Sequence, residues 1–293
     1  MADGDDWGDD FGEERFGRRK ERRRPKGARR RKELATGPGD DGGSPFADPG
    51  LEWLHARGLL KELGNQVRGG KEATLYRANG PVGRLAAKVY SDIEVRGFRA
   101  AEAYLEGRRV ADRRIRKLLG DARRRGLSPE LADWVFHEYL TLWRLHDAGV
   151  RVPLPAVGPD PEAMVLAGRV VLMEWIGDEE PAPRLSDVQL DANEAERAWQ
   201  AARLLPARLL EIGLVHGDLS TFNLLWWAEE LVLIDLPQAV EVDRNPAAAD
   251  LLQRDIRSLC SSFAQLGIEE DAALLLLETR QTAGYPASGP LRR

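Results

Sequence analysis

A polar loop set between two apolar segments restricts the fold of this chain more than any other feature. The loop reads HGDLSTFN over residues 216–223, between a Leu-Val pair and the apolar run LLWW. A second apolar run, LVLI at residues 231–234, ends at Asp235. The second run is predicted to be a short strand. A strand that ends in an aspartate holds the carboxylate rigidly at the edge of a cleft, where it suits metal binding.

The loop and the strand end supply the residue types that phosphoryl transfer requires. One carboxylate, Asp218, can orient or deprotonate the nucleophile. The amide oxygen of Asn223 and the carboxylate of Asp235 can hold Mg²⁺ against phosphates. Each of these residues is common in turns and loops, but the complete HGDxxxxN pattern with its downstream strand is specific. It indicates an ATP-dependent phosphotransferase, with Asp218 and Asp235 as catalytic residues and Asn223 and Asp235 as metal ligands.

A glycine turn earlier in the chain is a candidate phosphate site. Residues 64–76, GNQVRGGKEATLY, read as strand, glycine turn and strand. Gly69 and Gly70, beside Lys71, allow backbone amides to approach phosphates closely. The turn is not a Walker sequence, because a glutamate follows Gly-Lys. On its own the turn is a weak signal, since such turns are also common in hairpins.

Lys88 lies in a strand pattern, GRLAAKVY at residues 83–90, among small apolar neighbours. In a dry cleft this lysine could bind the α- and β-phosphates of ATP and pair with a glutamate from a helix. Glu138, in the segment FHEYL, is the best partner. The alternative is an edge-strand lysine whose charge reaches solvent. His216 could be a general base, but we expect it to bond the loop backbone. The four histidines show no metal-ligand spacing, which argues against a zinc site.

The order of the predicted elements indicates an α+β fold with two unequal lobes that join near residue 174. We expect an N-lobe at 49–173, with a flexible basic insertion at about 91–130, and a C-lobe at 174–280. Predicted strands lie at 64–76, 83–90, 169–176 and 231–235, and predicted helices at 93–125, from Ser128-Pro129 onward, and at 194–213, 247–266 and 269–280.

Residues 1–48 are predicted to form a disordered charged arm, and residues 281–293 a flexible tail. Positions 1–14 hold seven acidic residues and positions 15–32 hold twelve Arg or Lys. Such blocks bury too little apolar surface to fold alone. The arm is either a solvated segment whose halves attract each other or a segment that binds RNA phosphates. Contact with RNA would use the basic residues at 15–32 and 108–125.

Composition excludes several classes of protein. No apolar run approaches the roughly 20 residues of a transmembrane helix, so we expect no membrane partner. The acidic start, MADGDDWGDD, is unlike a secretory signal. A single cysteine, Cys260, cannot form an internal disulfide and is expected to pack in the core. These features favour a cytoplasmic location.

Taken together, the motifs resemble the RIO kinases, atypical relatives of the eukaryotic protein kinases. The resemblance rests on HGDLSTFN with LIDLPQAV, GGKEATLY, LAAKVY and MEWIGDEEPAPRL, and it covers roughly residues 55–268. Ser220 stands where ordinary protein kinases place a lysine, and Leu-Pro follows Asp235 where they have Phe-Gly. The chain is similar to the subgroup that lacks an N-terminal winged helix. It differs in having Arg68-Gly69 where relatives prefer Ser-Thr.

The resemblance implies a two-lobed kinase-like fold, with a small antiparallel-sheet N-lobe and a mostly helical C-lobe. It implies ATP and Mg²⁺ as cofactors, with Mn²⁺ as a possible substitute, and serine autophosphorylation or an aspartyl-phosphate at Asp235. It also implies a link to maturing small ribosomal subunits and a role as an ATPase. The implied roles are Asp218 as base, Asn223 and Asp235 as metal ligands, Lys88 paired with Glu138 as phosphate contact, Glu174 and Ile176 as hinge groups for adenine, and Met173 as gatekeeper.

Two other functions fit the residues less well. Small-molecule phosphotransferases such as aminoglycoside or choline kinases share HGDxxxxN, but they usually read HGDLHxxN, with a histidine where this chain has Ser220. An inactive kinase fold could serve as an RNA- or ribosome-binding module. The intact set of Lys88, Asp218, Asn223 and Asp235 argues against inactivity.

Overall fold

The computed structural model describes residues 34, 45–70, 72–91, 113–121 and 126–291 of the 293-residue chain. Its helices are α1 (Pro49–Ala56), α2 (Arg113–Gly120), α3 (Pro129–Asp147), α4 (Pro161–Leu166), α5 (Ala192–Ala202), α6 (Leu205–Glu211), α7 (Ala248–Ala264) and α8 (Ala272–Thr282). Its strands are β1 (Glu62–Gly69), β2 (Ala73–Gly80), β3 (Gly83–Tyr90), β4 (Val170–Glu174), β5 (Leu214–Val215), β6 (Leu224–Trp227), β7 (Glu230–Leu233) and β8 (Val240–Glu241). Two short 3-10 turns lie at Leu185–Asp187 and Thr221–Asn223.

An antiparallel sheet in the order β1-β2-β3-β4 forms the N-lobe together with α1 to α4. Helix α3 begins where the sequence predicts: the Ser128 hydroxyl accepts the N–H of Leu131, and proline occupies the first turn. The buried hydroxyl of Tyr139 then fastens α3 to β4. It donates to Val170 O at 3.0 Å and accepts from Leu172 N at 2.8 Å. The helix and the sheet therefore pack with a defined register.

The C-lobe comprises α5 to α8 and two small antiparallel pairs, β5-β8 and β6-β7. In the β6-β7 pair, Leu224 lies opposite Leu233. The residue before β6 and the residues after β7 therefore emerge at the same edge, where Ile234 N donates to Asn223 O at 3.0 Å. This pairing brings Asn223 beside Asp235. The α+β, two-lobed fold class is confirmed.

The predicted single helix at 194–213 is wrong, because the structure divides it into α5 and α6. Pro206 is the cause. Proline has no N–H to donate, and its ring clashes with the carbonyl four residues earlier, which is that of Ala202. Helix α5 ends at Ala202, and Pro206 occupies the first turn of α6, where a missing N–H costs nothing.

Residues near both ends of the described chain are packed, whereas the sequence suggested flexible segments at 1–48 and 281–293. Leu34, Phe46 and Asp48 are buried, and Ala47 N donates to Leu34 O at 2.8 Å. At the other end α8 runs to Thr282, and the side chains of Tyr285 and Leu291 beyond it are buried. The remainder of the arm, most of the basic insertion and residues 292–293 lie outside the described residues.

A buried ion pair joins α1 to β4. Arg169 Nε lies 3.0 Å from Asp48 Oδ2, and the two side chains are 3% and 1% exposed. The other oxygen of Asp48 accepts the N–H groups of Gly50 and Leu51, so the same carboxylate caps α1. Removal of one partner from such a pair leaves an uncompensated buried charge. Among the described residues, no helix is both long and apolar enough to span a membrane.

We expect Arg169→Met to lower the free energy of unfolding by about 3–5 kcal/mol, because it strands the Asp48 carboxylate in the core. Urea denaturation measures this change. The matched control is Arg197→Met, which breaks an ion pair to Glu229 whose side chains are 49% and 75% exposed. It should cost less than about 1 kcal/mol. Equal destabilisation of the two variants would contradict the importance of the buried pair.

Candidate active site

Lys88 lies in the interior of the N-lobe sheet. It is paired with Leu75 of β2 on one side and with Val171 of β4 on the other, which excludes the edge-strand alternative. Its Nζ lies 2.6 Å from Glu138 Oε1 and 2.8 Å from Asp235 Oδ1. The side chain is only 14% exposed. The ammonium group therefore joins β3, α3 and the end of β7 at one point.

Tyr90 completes this cluster, and the sequence analysis missed it. Its hydroxyl donates to Glu138 Oε2, so both oxygens of this 3%-exposed carboxylate have partners. The Lys88 ammonium lies 5.0 Å from the centre of the Tyr90 ring. Residues i and i+2 of a strand share a face, so the spacing of Lys88 and Tyr90 was the available signal.

The charges of this cluster stabilise one another. Burial opposes the charged form of Lys88, but the carboxylates of Asp235 and Glu138 raise the pKa of the ammonium well above its ordinary value. Burial likewise opposes ionisation of Asp235, but the Lys88 charge lowers the pKa of that carboxyl. Both groups are therefore charged at neutral pH, since each favours the ionised form of the other.

Asp218 and Asn223 are held against each other in the loop. Asn223 Nδ2 donates to the backbone oxygen of Asp218 at 2.7 Å and to its Oδ2 at 3.2 Å. An amide nitrogen committed in this way turns the Asn223 Oδ1 atom toward other partners. Asn223 thus positions the Asp218 carboxylate and keeps an oxygen acceptor for a cation.

Asp235 adopts a strained backbone conformation, with φ of 67°. A residue with a side chain rarely occupies this left-handed region, and such strain is concentrated at functional sites. The Asp235 side chain is 40% exposed, so the carboxylate can reach a ligand while it contacts Lys88. With Asn223 Oδ1 it provides hard oxygen donors that fit Mg²⁺. The described residues contain no group of three or more His, Cys, Asp or Glu that could hold a metal.

Asp255 of α7 holds the backbone of the HGDxxxxN loop, and the sequence analysis missed this residue. Its carboxylate is 2% exposed and accepts the N–H groups of Gly217 at 2.7 Å and Leu219 at 3.0 Å. Burial raises the pKa of Asp255. His216 assists, because its Nδ1 accepts the N–H of Asp218 at 3.2 Å. The available signal was an acidic residue within the apolar face of α7, which is formed by Leu251, Leu252, Ile256, Leu259 and Phe263.

The predicted hinge residues lie across the cleft at the end of β4. Met173 pairs with Ala86 of β3. Glu174 N donates to Leu154 O at 2.8 Å, and its carboxylate receives two bonds from Arg151 at 2.7 and 2.8 Å. The carbonyl of Ile176 accepts from Ala182 N at 2.9 Å. Below the hinge lies a small apolar cluster made of Ile176, Ala182, Val232, Leu225, Trp227 and Ile234.

One backbone amide of the glycine turn is already engaged in a hydrogen bond and is therefore not available to a phosphate. β1 ends at Gly69, and Gly70 N already donates to Ala73 O at 2.9 Å inside the hairpin. A side chain at Gly70 would come within 3.0 Å of that same oxygen, which explains the glycine. Lys71 lies outside the described residues.

We expect Asp255→Ala to loosen the loop from His216 to Asn223, because two buried N–H groups lose their acceptor at about 1–3 kcal/mol each. Hydrogen exchange should show the amides of Gly217 and Leu219 exchanging at least roughly tenfold faster, in keeping with that cost. The exposed Arg257 of the same helix provides the control. Arg257→Ala should change the free energy of unfolding by less than about 0.5 kcal/mol. Unchanged exchange in Asp255→Ala would show that the loop is fixed by other contacts.

Comparison with known proteins gives a consistent result. A RIO domain model matches residues 74–274. Relatives include the RIO-type serine/threonine-protein kinase Rio1 of Haloferax volcanii, 35% identical over 73% of this chain and 67% of that protein. RIO1 of Chaetomium thermophilum is 32% identical over 73% of this chain but only 41% of its own length. RIO3 of Homo sapiens is 34% identical over 47% of this chain and 25% of its own length.

Solved structures agree on the fold. The Rio2 kinase of Chaetomium thermophilum, in a structure described as an ADP/Mg²⁺-phosphoaspartate complex, has a TM-score of 0.52 and 20% identity. The match covers 75% of this chain and 61% of that one. The chain thus spans about two fifths of its fungal RIO1 relative and about three fifths of the Rio2 structure. With the domain match over residues 74–274, these findings establish that the chain belongs to the RIO kinase family.

Proposed function

We propose that this protein is an ATP-dependent serine/threonine protein kinase of the RIO type that uses Mg²⁺, with Mn²⁺ as a possible substitute. The observation that carries the proposal is the contact of the Lys88 ammonium with both Glu138 and Asp235, at 2.6 and 2.8 Å. It puts a fixed positive charge where α- and β-phosphates would lie, next to the carboxylate of a metal site.

The residues of the loop would orient the reaction. Asp218, held by Asn223, would accept the proton of the attacking hydroxyl or align it. Asp255 and His216 keep that carboxylate in place through the loop backbone. Asn223 Oδ1 and the Asp235 carboxylate would hold the cation, which neutralises phosphate charge when bound.

The nucleotide base would lie between the hinge and the apolar cluster beneath it. The N–H of Ile176 and the carbonyl of Glu174 would bond adenine, with Met173 behind. Leu225 and Ile234, which the sequence did not predict as nucleotide contacts, would contact the base from the C-lobe, since both pack against the buried Val232. The Arg151–Glu174 pair would keep the hinge strand from shifting.

The phosphoryl acceptor is either a protein hydroxyl or Asp235 itself. The Rio2 structure described as containing phosphoaspartate supports the second route as one to test. An acyl phosphate is released by hydroxylamine, whereas a serine phosphate is stable to it. This chemistry separates kinase use from an ATPase cycle that passes through a phosphorylated aspartate.

We expect Asp218→Asn and Asp235→Asn to reduce phosphoryl transfer from γ-labelled ATP by about 10²- to 10⁴-fold. The reason is that one variant removes the base and the other a metal ligand. Asp243→Asn, at an exposed C-lobe carboxylate, is the matched control and should retain activity. Wild-type rates in both site variants would refute the mechanism. Transfer to choline or an aminoglycoside, with none to protein, would instead assign the small-molecule class.

A second role, contact with RNA or a small ribosomal subunit, is supported by the basic face of α2. Its buried residues are Ile115 and Leu119, so Arg113, Arg116 and Lys117 face outward. The basic residues at 15–32 would also take part in this contact.

We also propose a cytoplasmic location, which the single Cys260 favours.

Deletion of residues 1–33 should weaken binding to RNA at low salt and reduce the slope of log affinity against log salt. The slope should change by about 0.7 to 0.9 for each RNA phosphate that the shortened protein no longer neutralises. ATP turnover in the absence of RNA serves as the internal control and should be retained. An unchanged affinity and slope would show that the arm does not bind phosphates.

A further inference from the structure

One arginine of each lobe lies near the residues of the candidate active site: Arg68 beside the glycine turn, and Arg184 opposite Leu225 of the strand that follows the loop. Arg68 is the second-last residue of β1, next to the glycine turn. Its Nη2 lies 2.8 Å from Asp187 Oδ2 in the 3-10 turn Leu185–Asp187, and both side chains are 47% exposed. Arg184 directly precedes that turn. One guanidinium therefore comes from the N-lobe sheet and the other from the C-lobe.

The backbone of Arg184 is fixed beside the catalytic loop. It forms an antiparallel bridge with Leu225, two residues after Asn223. On one side Trp226 N donates to Pro183 O at 3.1 Å, and on the other Asp187 N donates to Arg184 O at 2.8 Å. The turn that follows Arg184 also packs against the turn Thr221–Asn223. Arg184 is thus held in place by the strand that leaves the loop.

The Arg184 guanidinium lacks a close counter-ion. It is half-buried, and among the described residues no carboxylate oxygen lies within the 4.0 Å of an ion pair. Burial, and after it the positive charge of Arg68, lower the pKa of Arg184, and the charges of Asp235 and Asp187 only partly offset this. The ion pair of Arg68 with Asp187, three residues after Arg184, holds the second arginine beside the turn that Arg184 precedes. Two neighbouring guanidinium groups form a favourable site for an anion with several charges.

The catalytic loop lacks a positive charge, and the two arginines could supply it. Ser220 occupies the position of the loop lysine of ordinary protein kinases, and it is buried and neutral. Phosphoryl transfer spreads negative charge over the terminal phosphate oxygens, and a cation placed there lowers the barrier.

We propose that Arg184, with Arg68 as its partner from the N-lobe, binds the terminal phosphate of ATP. The inference rests on the proposed kinase function and adds to it a residue that distinguishes ATP from ADP. Arg68 exchanges Asp187 for the phosphate when the nucleotide binds. Because the two arginines belong to different lobes, the terminal phosphate then holds the lobes together across the cleft.

Nucleotide affinity tests this assignment in the full chain. We would measure the affinities of ATP and ADP by calorimetry, in Mg²⁺ and again in EDTA, for wild type, Arg184→Leu, Arg184→Lys and Arg68→Leu. Arg208→Leu, at an exposed arginine of α6, is the matched control. Arg184→Leu should weaken ATP binding roughly tenfold, the effect of removing one charge-assisted hydrogen bond, while ADP affinity stays within about twofold. Arg184→Lys should recover part of the preference, and Arg208→Leu should behave as wild type.

The outcomes separate this inference from the proposed function. If wild type binds and transfers phosphate but Arg184→Leu keeps the ATP preference, the arginine assignment is overturned and the kinase function stands. A fall of ATP and ADP affinity in equal measure would mean that Arg184 only supports the fold. If the ratio of ATP to ADP affinity is unchanged but phosphorylation of an acidic protein is weaker, the two arginines bind the protein substrate and the assignment to the terminal phosphate is overturned. Wild-type protein that binds neither nucleotide would overturn both proposals.

Discussion

The contact of one ammonium group with two carboxylates organises this structure. Lys88 comes from a strand, Glu138 from a helix and Asp235 from the end of a hairpin in the other lobe. Charges removed from water are costly unless they are paired, so each of the three groups depends on the other two. The contact links the lobes and at the same time creates the cationic centre of the candidate active site.

Polar groups buried away from the cleft give the irregular segments their rigidity. The loop from His216 to Asn223 has little regular structure of its own, and Asp255 compensates by accepting two of its N–H groups. In the N-lobe, the buried pair of Asp48 and Arg169 fastens α1 to the sheet that carries Lys88. In both places a carboxylate orders backbone that apolar packing alone would leave loosely defined.

The positive charges near the catalytic loop come from outside the loop motif. The motif lacks its lysine, but a phosphate requires only that a cation lie within reach, whichever element supplies it. Arg184 reaches this region from the segment after the hinge, and Arg68 from the strand before the glycine turn. Asp187 contacts Arg68 and so limits the repulsion between the two arginines.

The sequence by itself determined the elements and the chemistry that they carry. Strand β3 spans the predicted 83–90, α3 begins at the predicted Ser128-Pro129 cap, and the HGDxxxxN loop precedes a short strand and Asp235, because these patterns depend on near neighbours in the chain. Even the Lys88–Glu138 contact could be anticipated from two separate motifs. Only the tertiary structure decided the partners of Tyr90, Asp255 and Arg169 and the place of Arg184 beside Leu225, since these contacts join residues far apart in sequence.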